Sequence, residues 1–212
     1  MVTPSGGACE IIADRAEDEG VALPEFSERT LTELRELCPP FATVQNPLDV
    51  TGYVLVDPNL LRGALEVVAA DPGVDVTLLL SDLPRQRPVS EAAEALVHGR
   101  VSALADTVAR TTAKTGRPII VMSTALSEIT EYGRELTEQT DYPHVLGGIE
   151  HGLTALGHAL AWSARYRRTT AAPPAPARVA AAPADPARDP LELVAGAAAT
   201  RAGAGGATVA WR

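Results

Sequence analysis

The sequence predicts a parallel α/β fold, in which helices cover both faces of a sheet. Short apolar runs alternate with amphipathic segments from residue 1 to about residue 168, and this alternation is typical of strand-helix-strand units. The hydrophobic content is 46%, whereas aromatic residues account for only 4% of the 212 residues. An aliphatic composition of this kind suits parallel strands that are buried on both faces. We therefore expect one substantial domain with a doubly wound parallel sheet, followed by a tail.

The first predicted elements are a short strand, a glycine turn and a helix. Val2 and Thr3 precede Pro4, and the glycine turn, Ser5-Gly6-Gly7-Ala8, leads straight into residues 9–14, which have the amphipathic spacing of a helix. Glycines let a ligand approach the backbone, and the free N–H groups of a helix N-terminus suit an anion. The turn therefore predicts a phosphate site at these four residues. Because so little strand precedes the turn, we expect most of the first strand to be lacking, as if cut from a longer chain.

Two further helices have recognisable first turns. Thr30 and Glu33 have the spacing of a capping box, in which two side chains satisfy backbone N–H groups reciprocally. Asp57 followed by Pro58 is typical of an N-cap with proline at the first helical position. The apolar residues of the second segment share one face as far as residue 70, so this helix should cover the sheet.

The remaining elements continue the alternation. Residues 74–80 (VDVTLLL) and 118–122 (PIIVM) are the clearest strands, because both are short, apolar and bounded by glycine or proline. Helices are predicted for roughly residues 90–114, 127–139 and 150–165.

The composition changes after residue 168. Alanine and proline dominate residues 169–190, which predicts an extended, disordered linker. Residues 191–212 begin like a helix and end in RAGAGGATVAWR, so we expect the truncated start of a following segment. The ending indicates either a truncation or a shifted reading frame, and the sequence does not choose between them.

Charge and cysteine content exclude several function classes. The net charge of −9 would repel nucleic acid and anionic lipid. Cys9 and Cys38 are too few for a disulfide framework, and no Cys/His spacing typical of a metal site is present. No secretion leader or uninterrupted apolar run of about 18 residues is evident. We predict a cytoplasmic protein that binds no nucleic acid, membrane or metal.

Ligands of parallel α/β sheets bind at the carboxyl ends of the strands. The unusual sequences of this chain occupy the loops that would meet at that edge. We expect five such loops to converge, namely residues 4–8, 46–52, 81–88, 123–125 and 146–151.

Four motifs in the first quarter of the chain point to one family. They are Ser-Gly-Gly at residues 5–7, Ala-Asp at 13–14, GVALPEFS at 20–27 and PPFATVQNPLDVTG at 39–52. Together they resemble the NDP-forming acyl-CoA synthetases, which are relatives of succinyl-CoA synthetase. The resemblance covers residues 2 to about 168 and matches the second of that family's two ligase-type, flavodoxin-like domains.

The resemblance implies a reaction in which acyl-CoA, NDP and phosphate exchange with acid, CoA and NTP through an acyl phosphate and a phosphorylated histidine. It implies that Ser5, Gly6, Gly7 and Ala8 form one of two helix N-termini that face this phosphohistidine. CoA, ATP or ADP, and Mg²⁺ are implied for the complete enzyme, and none is assigned to this chain.

The sequence lacks parts that the complete reaction needs. It contains no Ser-His-Thr-Gly-Ala type motif of the phosphohistidine domain, no glycine-rich CoA-binding domain and no ATP-grasp domain. We expect these domains to act in cis or in trans, so that this chain alone does not complete the catalytic cycle. An oligomer is a further possibility.

Five other residues are candidates for ligand or interface roles. Asn46 and Asp49 either form a structural turn or orient a partner or ligand. Arg85 and Arg87, in a proline-bounded loop, either hold a carboxylate or phosphate or are solvated. His151 is the best acid/base candidate among the histidines, although a structural role is favoured for it. No residue is assigned as catalytic.

Cys9 lies one turn into the first helix, where the helix N-terminus can lower a thiol pKa. Packing against the sheet is the favoured alternative. Two other functions stay open for the whole chain: a non-catalytic flavodoxin-like module that binds a small molecule, and an inactive truncated remnant, whose unpaired sheet edges would promote aggregation.

Overall fold

A five-stranded parallel sheet lies at the centre of the protein. The computed structural model describes residues 1–55 and 57–170, and Met1–Arg168 form one compact unit. The strands are β1 (Val2–Thr3), β2 (Leu48–Asp49), β3 (Thr77–Leu80), β4 (Ile119–Met122) and β5 (Val145–Leu146). Their order is β2-β1-β3-β4-β5, and every neighbouring pair is parallel. This is the flavodoxin-like order, so the predicted fold class is confirmed.

Helices connect the strands and cover both faces of the sheet. Within the described residues the helices are α1 (Gly6–Asp18), α2 (Glu28–Leu37), α3 (Pro58–Ala70), α4 (Glu91–Thr115), α5 (Glu131–Thr140) and α6 (Ile149–Thr170), with a short 3-10 helix at Gly52–Leu55. None of the helices in this part of the chain is both long and apolar enough to cross a bilayer.

Two aliphatic clusters form the core, one on each face of the sheet. On one face α1 and α6 pack through residues such as Ile12 and Leu153 against Leu78 and Leu80 of β3. On the other face α2, α3, α4 and α5 cover Leu79. All four residues of β3 are buried, because side chains of successive strand residues point to opposite, covered faces. The aliphatic core thus matches the low aromatic content.

The first strand is short but paired on both sides. Val2 is opposite Leu48 of β2 and Leu79 of β3, and only 1% of Val2 is exposed. β1 ends at Thr3 and α1 begins at Gly6, so the glycine turn lies at the carboxyl end of β1, an interior strand of the sheet.

Two helix starts differ from the prediction. α2 begins at Glu28 with Ser27 as its N-cap, and Thr30 donates its backbone N–H to the Ser27 hydroxyl over 3.3 Å. The Ser27 N–H in turn donates to the Asp71 carboxylate at 2.8 Å. α5 begins at Glu131, later than predicted, because Thr130 caps it. The predicted cap of α3, Asp57 with Pro58 following, is confirmed.

The predicted linker, residues 169–190, and the predicted terminal segment, residues 191–212, lie outside the described residues beyond Thr170. Residues 169 and 170 themselves belong to α6.

Candidate functional site

Loops at the carboxyl edge of the sheet are joined by hydrogen bonds. Asp82, after β3, accepts hydrogen bonds from the backbone N–H of Thr124 (2.8 Å) and from its hydroxyl (2.6 Å), and Thr124 follows β4. Ser123 accepts a hydrogen bond at its hydroxyl from the N–H of Gly148, after β5, over 2.9 Å. The loops after three neighbouring strands therefore form one connected edge, as the topology predicts.

Gly148 has a backbone conformation that glycine favours. Its φ is +78°, and a Cβ at this position would lie 2.7 Å from the backbone nitrogen of Leu126. An L side chain at Gly148 would therefore be both strained and in collision with the loop after β4. This close approach fixes the N-terminal end of α6 against that loop.

The glycine turn forms a capped helix N-terminus that faces solvent. Ser5 is the N-cap of α1, with extended backbone angles, and its hydroxyl accepts a hydrogen bond from the Ala8 N–H over 3.4 Å. Ser5, Gly6 and Gly7 are exposed, whereas Ala8 is buried. The N–H groups of Gly6 and Gly7 have no hydrogen-bond acceptor among the described residues. The turn therefore offers two free donors at the positive end of the α1 dipole.

The Asp49 carboxylate lies beside this helix N-terminus. Its Oδ1 accepts a hydrogen bond from the Thr51 N–H over 2.7 Å, and its Oδ2 lies 3.1 Å from where a Cβ would stand on Gly6. A side chain larger than hydrogen at Gly6 would press on this oxygen. Asp49 thus shapes its own turn and places a negative charge next to α1, so an incoming anion meets both the free N–H donors and this carboxylate.

Asn46 is occupied by structural hydrogen bonds. Its Oδ1 accepts a hydrogen bond from the amino group of Met1 (2.7 Å), and its Nδ2 donates to the Pro24 carbonyl oxygen (2.9 Å). The side chain ties the segment before β2 to the start of β1 and to the segment before α2.

The two candidate arginines have different surroundings. Arg87 forms ion pairs with Glu94 of α4 and Glu135 of α5, and its guanidinium lies 4.7 Å from the ring centroid of Tyr132. The hydrogen bond to Glu135 is the main reason that the pKa of Arg87 is raised. Arg85 is exposed. Arg87 therefore bridges two helices, and Arg85 is the arginine of this loop that lines an open cleft.

That cleft lies between the loops after β3 and β4. Its volume is about 300 Å³, and Arg85, Asp82, Glu128 and Thr130 are among its lining residues. One cation faces two carboxylates there, so the cleft does not favour an anion through net charge. Its hydroxyl, carboxylate and guanidinium groups suit a small polar ligand instead.

His151 and Cys9 give little support for catalytic roles. His151 is exposed on the first turn of α6. Cys9 is buried, and its thiol donates to the Pro47 carbonyl oxygen over 3.6 Å. Burial, with a smaller contribution from the Asp49 charge, raises the pKa of Cys9 to about 11. The thiol is therefore a packing group at neutral pH, which agrees with the favoured alternative.

The described side chains include no group of three or more His, Cys, Asp or Glu residues placed to hold a metal ion.

The sequence is similar to parts of two curated proteins, and no protein-family model matches it. It is 26% identical over 143 residues to the acetate–CoA ligase (ADP-forming) II subunit alpha of Pyrococcus furiosus, a match that covers 68% of this chain and 29% of that subunit. It is 29% identical over 97 residues to the acetate–CoA ligase (ADP-forming) I of Archaeoglobus fulgidus, covering 46% of this chain and 14% of that ligase.

Solved structures share the fold. PH0766 from Pyrococcus horikoshii OT3 aligns with a TM-score of 0.56 and 23% identity over 77% of this chain and 35% of that one. The apo form of the dinucleotide-forming acetyl-coenzyme A synthetase 1 of Ca. Korarchaeum cryptofilum aligns with a TM-score of 0.55 and 20% identity, covering 81% and 35%. The chain thus spans about a third or less of each relative. The sequence matches confirm the resemblance to part of an NDP-forming acyl-CoA synthetase.

Proposed function

We propose that this relative of NDP-forming acyl-CoA synthetases works as one ligase-type domain, whose α1 N-terminus forms part of the pocket that receives a phosphohistidine. The complete reaction would convert acyl-CoA, NDP and phosphate into acid, CoA and NTP. This chain would supply neither the histidine nor the nucleotide site. Those would come from phosphohistidine, CoA-binding and ATP-grasp domains in the same chain or in a partner.

One observation carries the proposal. In a chain similar to ADP-forming acetate–CoA ligases, the N-terminus of α1 lies at the carboxyl end of β1, an interior strand between β2 and β3. Two exposed N–H groups, those of Gly6 and Gly7, are free there among the described residues. A flavodoxin-like sheet binds ligands at this edge, next to the boundary between β1 and β3. The position and the donors together suit an anion supplied from outside the chain.

The chemistry follows from oriented dipoles. A phosphoryl group on histidine carries its negative charge on oxygens that accept hydrogen bonds, and backbone N–H donors stabilise that charge without a fixed cation. Such donors are already oriented, so little reorganisation is needed when the charge arrives. Asp49 opposes excessive affinity, because its carboxylate beside Gly6 repels the phosphoryl group. A pocket of this kind holds the group transiently, as a transfer reaction requires.

The cofactors of the complete enzyme lie outside this proposal. CoA, the nucleotide and Mg²⁺ would be bound by the complete enzyme, and no residue of this chain is assigned to them. The two cysteines are buried free thiols, which supports the cytoplasm as the proposed compartment.

Titration of the ¹⁵N-labelled chain with inorganic phosphate tests the proposal. We expect the amide resonances of Gly6 and Gly7 to shift in a saturable way, while amides on the opposite edge, such as that of Gly116, do not move. FMN, CoA and ADP titrated separately serve as comparisons.

The second candidate is a small-molecule module, favoured by the 300 Å³ cleft beside Arg85. Saturable binding of FMN together with unshifted Gly6 and Gly7 amides in phosphate would replace the ligase proposal with this second function.

A further inference from the structure

A second, apolar groove lies on the surface of α3 and α4. Its volume is about 380 Å³, and Val54, Leu61, Leu96 and Leu104 contribute its aliphatic surface. Leu96 is 57% exposed, although a leucine gains free energy from burial in proportion to the apolar area that leaves water. The groove therefore presents aliphatic surface that nothing in the described residues covers.

Small residues of α4 create the depth of this groove. Ala95, Gly99 and Ala103 recur every fourth residue and so share one face of the helix. A Cβ on Gly99 would meet no atom within 4 Å. Glycine in the middle of a helix lowers stability by about 0.5–1 kcal/mol relative to alanine. A larger side chain at Gly99 would therefore both fit and stabilise the helix, yet the space is left open.

Two arginines give the groove a positive charge. Arg62 of α3 and Arg100 of α4 both line it, and no acidic residue does. Within the described residues neither guanidinium has a carboxylate partner within salt-bridge distance. Arg62 donates only to the neutral side chain of Asn59. By contrast, Arg110 of α4 pairs with Glu66 of α3 at 3.6 Å, so the same two helices neutralise an arginine outside the groove but not inside it.

We propose that this groove binds a free medium-chain carboxylic acid as its anion. The aliphatic chain would lie over Ala95, Gly99 and Ala103, where it leaves water. The carboxylate would accept charge-assisted hydrogen bonds from Arg62 and Arg100, whose planar guanidinium groups match its two oxygens. A volume of about 380 Å³ is within the usual range of ligand sites. Inorganic phosphate lacks the apolar body that this surface requires.

The site is separate from the glycine turn and does not rest on the proposed ligase function. Val54 is the lining residue that lies in the connection after β2, the strand that contains Asp49, whereas the other lining residues belong to α3 and α4. Phosphate binding is read at the amides of Gly6 and Gly7 and octanoate binding at the amide of Gly99, so one labelled sample reports both.

The test uses octanoate as the probe and the amide resonances of Gly99 and Ala103 as the readout. We expect saturable shifts with octanoate and at least about tenfold weaker binding of octan-1-ol, because a hydrogen bond between two ions is worth more than one to a neutral hydroxyl. Vesicles of phosphatidylglycerol, the other source of an apolar chain with an anionic group, should not sediment the protein.

Substitutions locate the site. Gly99→Leu should fill the groove and abolish the octanoate shifts, and Arg100→Gln should weaken binding about tenfold. Arg110→Gln, on the same helix but outside the groove, should leave it unchanged. Gly99→Ala, which adds only a methyl group, and circular dichroism of each variant check that the fold is kept. The proposal is overturned if the parent chain does not bind octanoate, or if Gly99→Leu and Arg100→Gln bind it as the parent does. It is also overturned if octan-1-ol binds as tightly as octanoate, or if the vesicles sediment the protein.

Discussion

The Asp82 carboxylate accepts two hydrogen bonds from Thr124, one from its backbone N–H and one from its hydroxyl. The two residues follow neighbouring strands, β3 and β4, at the carboxyl edge of the sheet. This pairing holds together two loops that have no regular secondary structure. It therefore fixes one side of the cleft that Arg85 lines.

We predict that Asp82→Ala lowers the free energy of unfolding by about 1 kcal/mol, since one carboxylate loses two hydrogen bonds at an exposed position. Urea denaturation of the variant measures this loss. Asp14→Ala, which changes an exposed carboxylate of α1, is the control and should be nearly neutral. Equal stability of the two variants would show that the loops are held by other contacts.

The Asp71 carboxylate predicts a pH dependence of stability. Burial alone would raise its pKa, but hydrogen bonds from Thr30, Ser27 and Gly73 outweigh burial and leave the pKa lowered. A carboxyl whose pKa is lower in the folded state stabilises the fold above its ordinary pKa, and this contribution is lost as pH falls through the lowered value.

Urea unfolding of Asp71→Asn and of the parent chain should therefore differ by about 1.5–3 kcal/mol at pH 7. The difference should shrink as the pH falls below about 4, the ordinary pKa of an aspartate. Asp75→Asn, at an exposed neighbour, should show no such trend. A difference that stays constant between pH 7 and pH 3 would contradict this explanation.

Cys9 should react slowly despite its place in the first turn of α1. Its pKa of about 11 leaves almost no thiolate at pH 8, and thiolate is the reactive form. We expect iodoacetamide at pH 8 to modify Cys9 only after urea unfolding, with peptide mass spectrometry as the measurement. Fast modification in the folded chain would mean that the helix N-terminus lowers this pKa after all.

Asp49 should weaken anion binding at the glycine turn. Asp49→Asn removes the charge beside Gly6 and keeps an oxygen that accepts the Thr51 N–H, so we expect phosphate affinity to rise several-fold, corresponding to about 1 kcal/mol of removed repulsion. Calorimetry with inorganic phosphate measures the change. If Asp49→Asn instead weakened binding, the carboxylate would have a direct role in holding the ligand.

Long-range architecture was predictable because it depends on hydrophobic pattern. The alternation of apolar runs and amphipathic segments fixes a parallel sheet, and Asp57-Pro58 marks a helix start through local chemistry alone. α2 begins earlier than predicted because Ser27, a residue type that favours the N-cap position, caps it with its own hydroxyl. The Ser27 N–H also donates to the Asp71 carboxylate, 44 residues away. No local pattern in the sequence reveals such a contact.

The candidate site was predictable only in outline. The positions of the loops could be predicted from the order of the strands. The glycine turn could be predicted from its own residues. Three contacts of the site could not be predicted from the sequence alone. They are the hydrogen bonds from Thr124 to Asp82, the ion pairs of Arg87 with Glu94 and Glu135, and the place of the Asp49 carboxylate beside Gly6. These are contacts between side chains on different elements, and they depend on packing angles that a single sequence does not specify.

The most direct test of the phosphohistidine proposal compares two substitutions at Gly7. A Cβ there would meet no atom within 4 Å, so Gly7→Ala keeps the N–H donor and the fold, whereas Gly7→Pro removes the donor at a first-turn position that tolerates proline.

The measurement is calorimetric binding of a Ser-His-Thr-Gly-Ala peptide phosphorylated on histidine, with the unphosphorylated peptide as the comparison. We predict that Gly7→Ala binds the phosphorylated peptide like the parent chain and that Gly7→Pro binds it about tenfold more weakly, as expected for loss of one hydrogen bond to a charged group. Equal affinity of the two variants, or equal affinity for both peptides, would contradict the account.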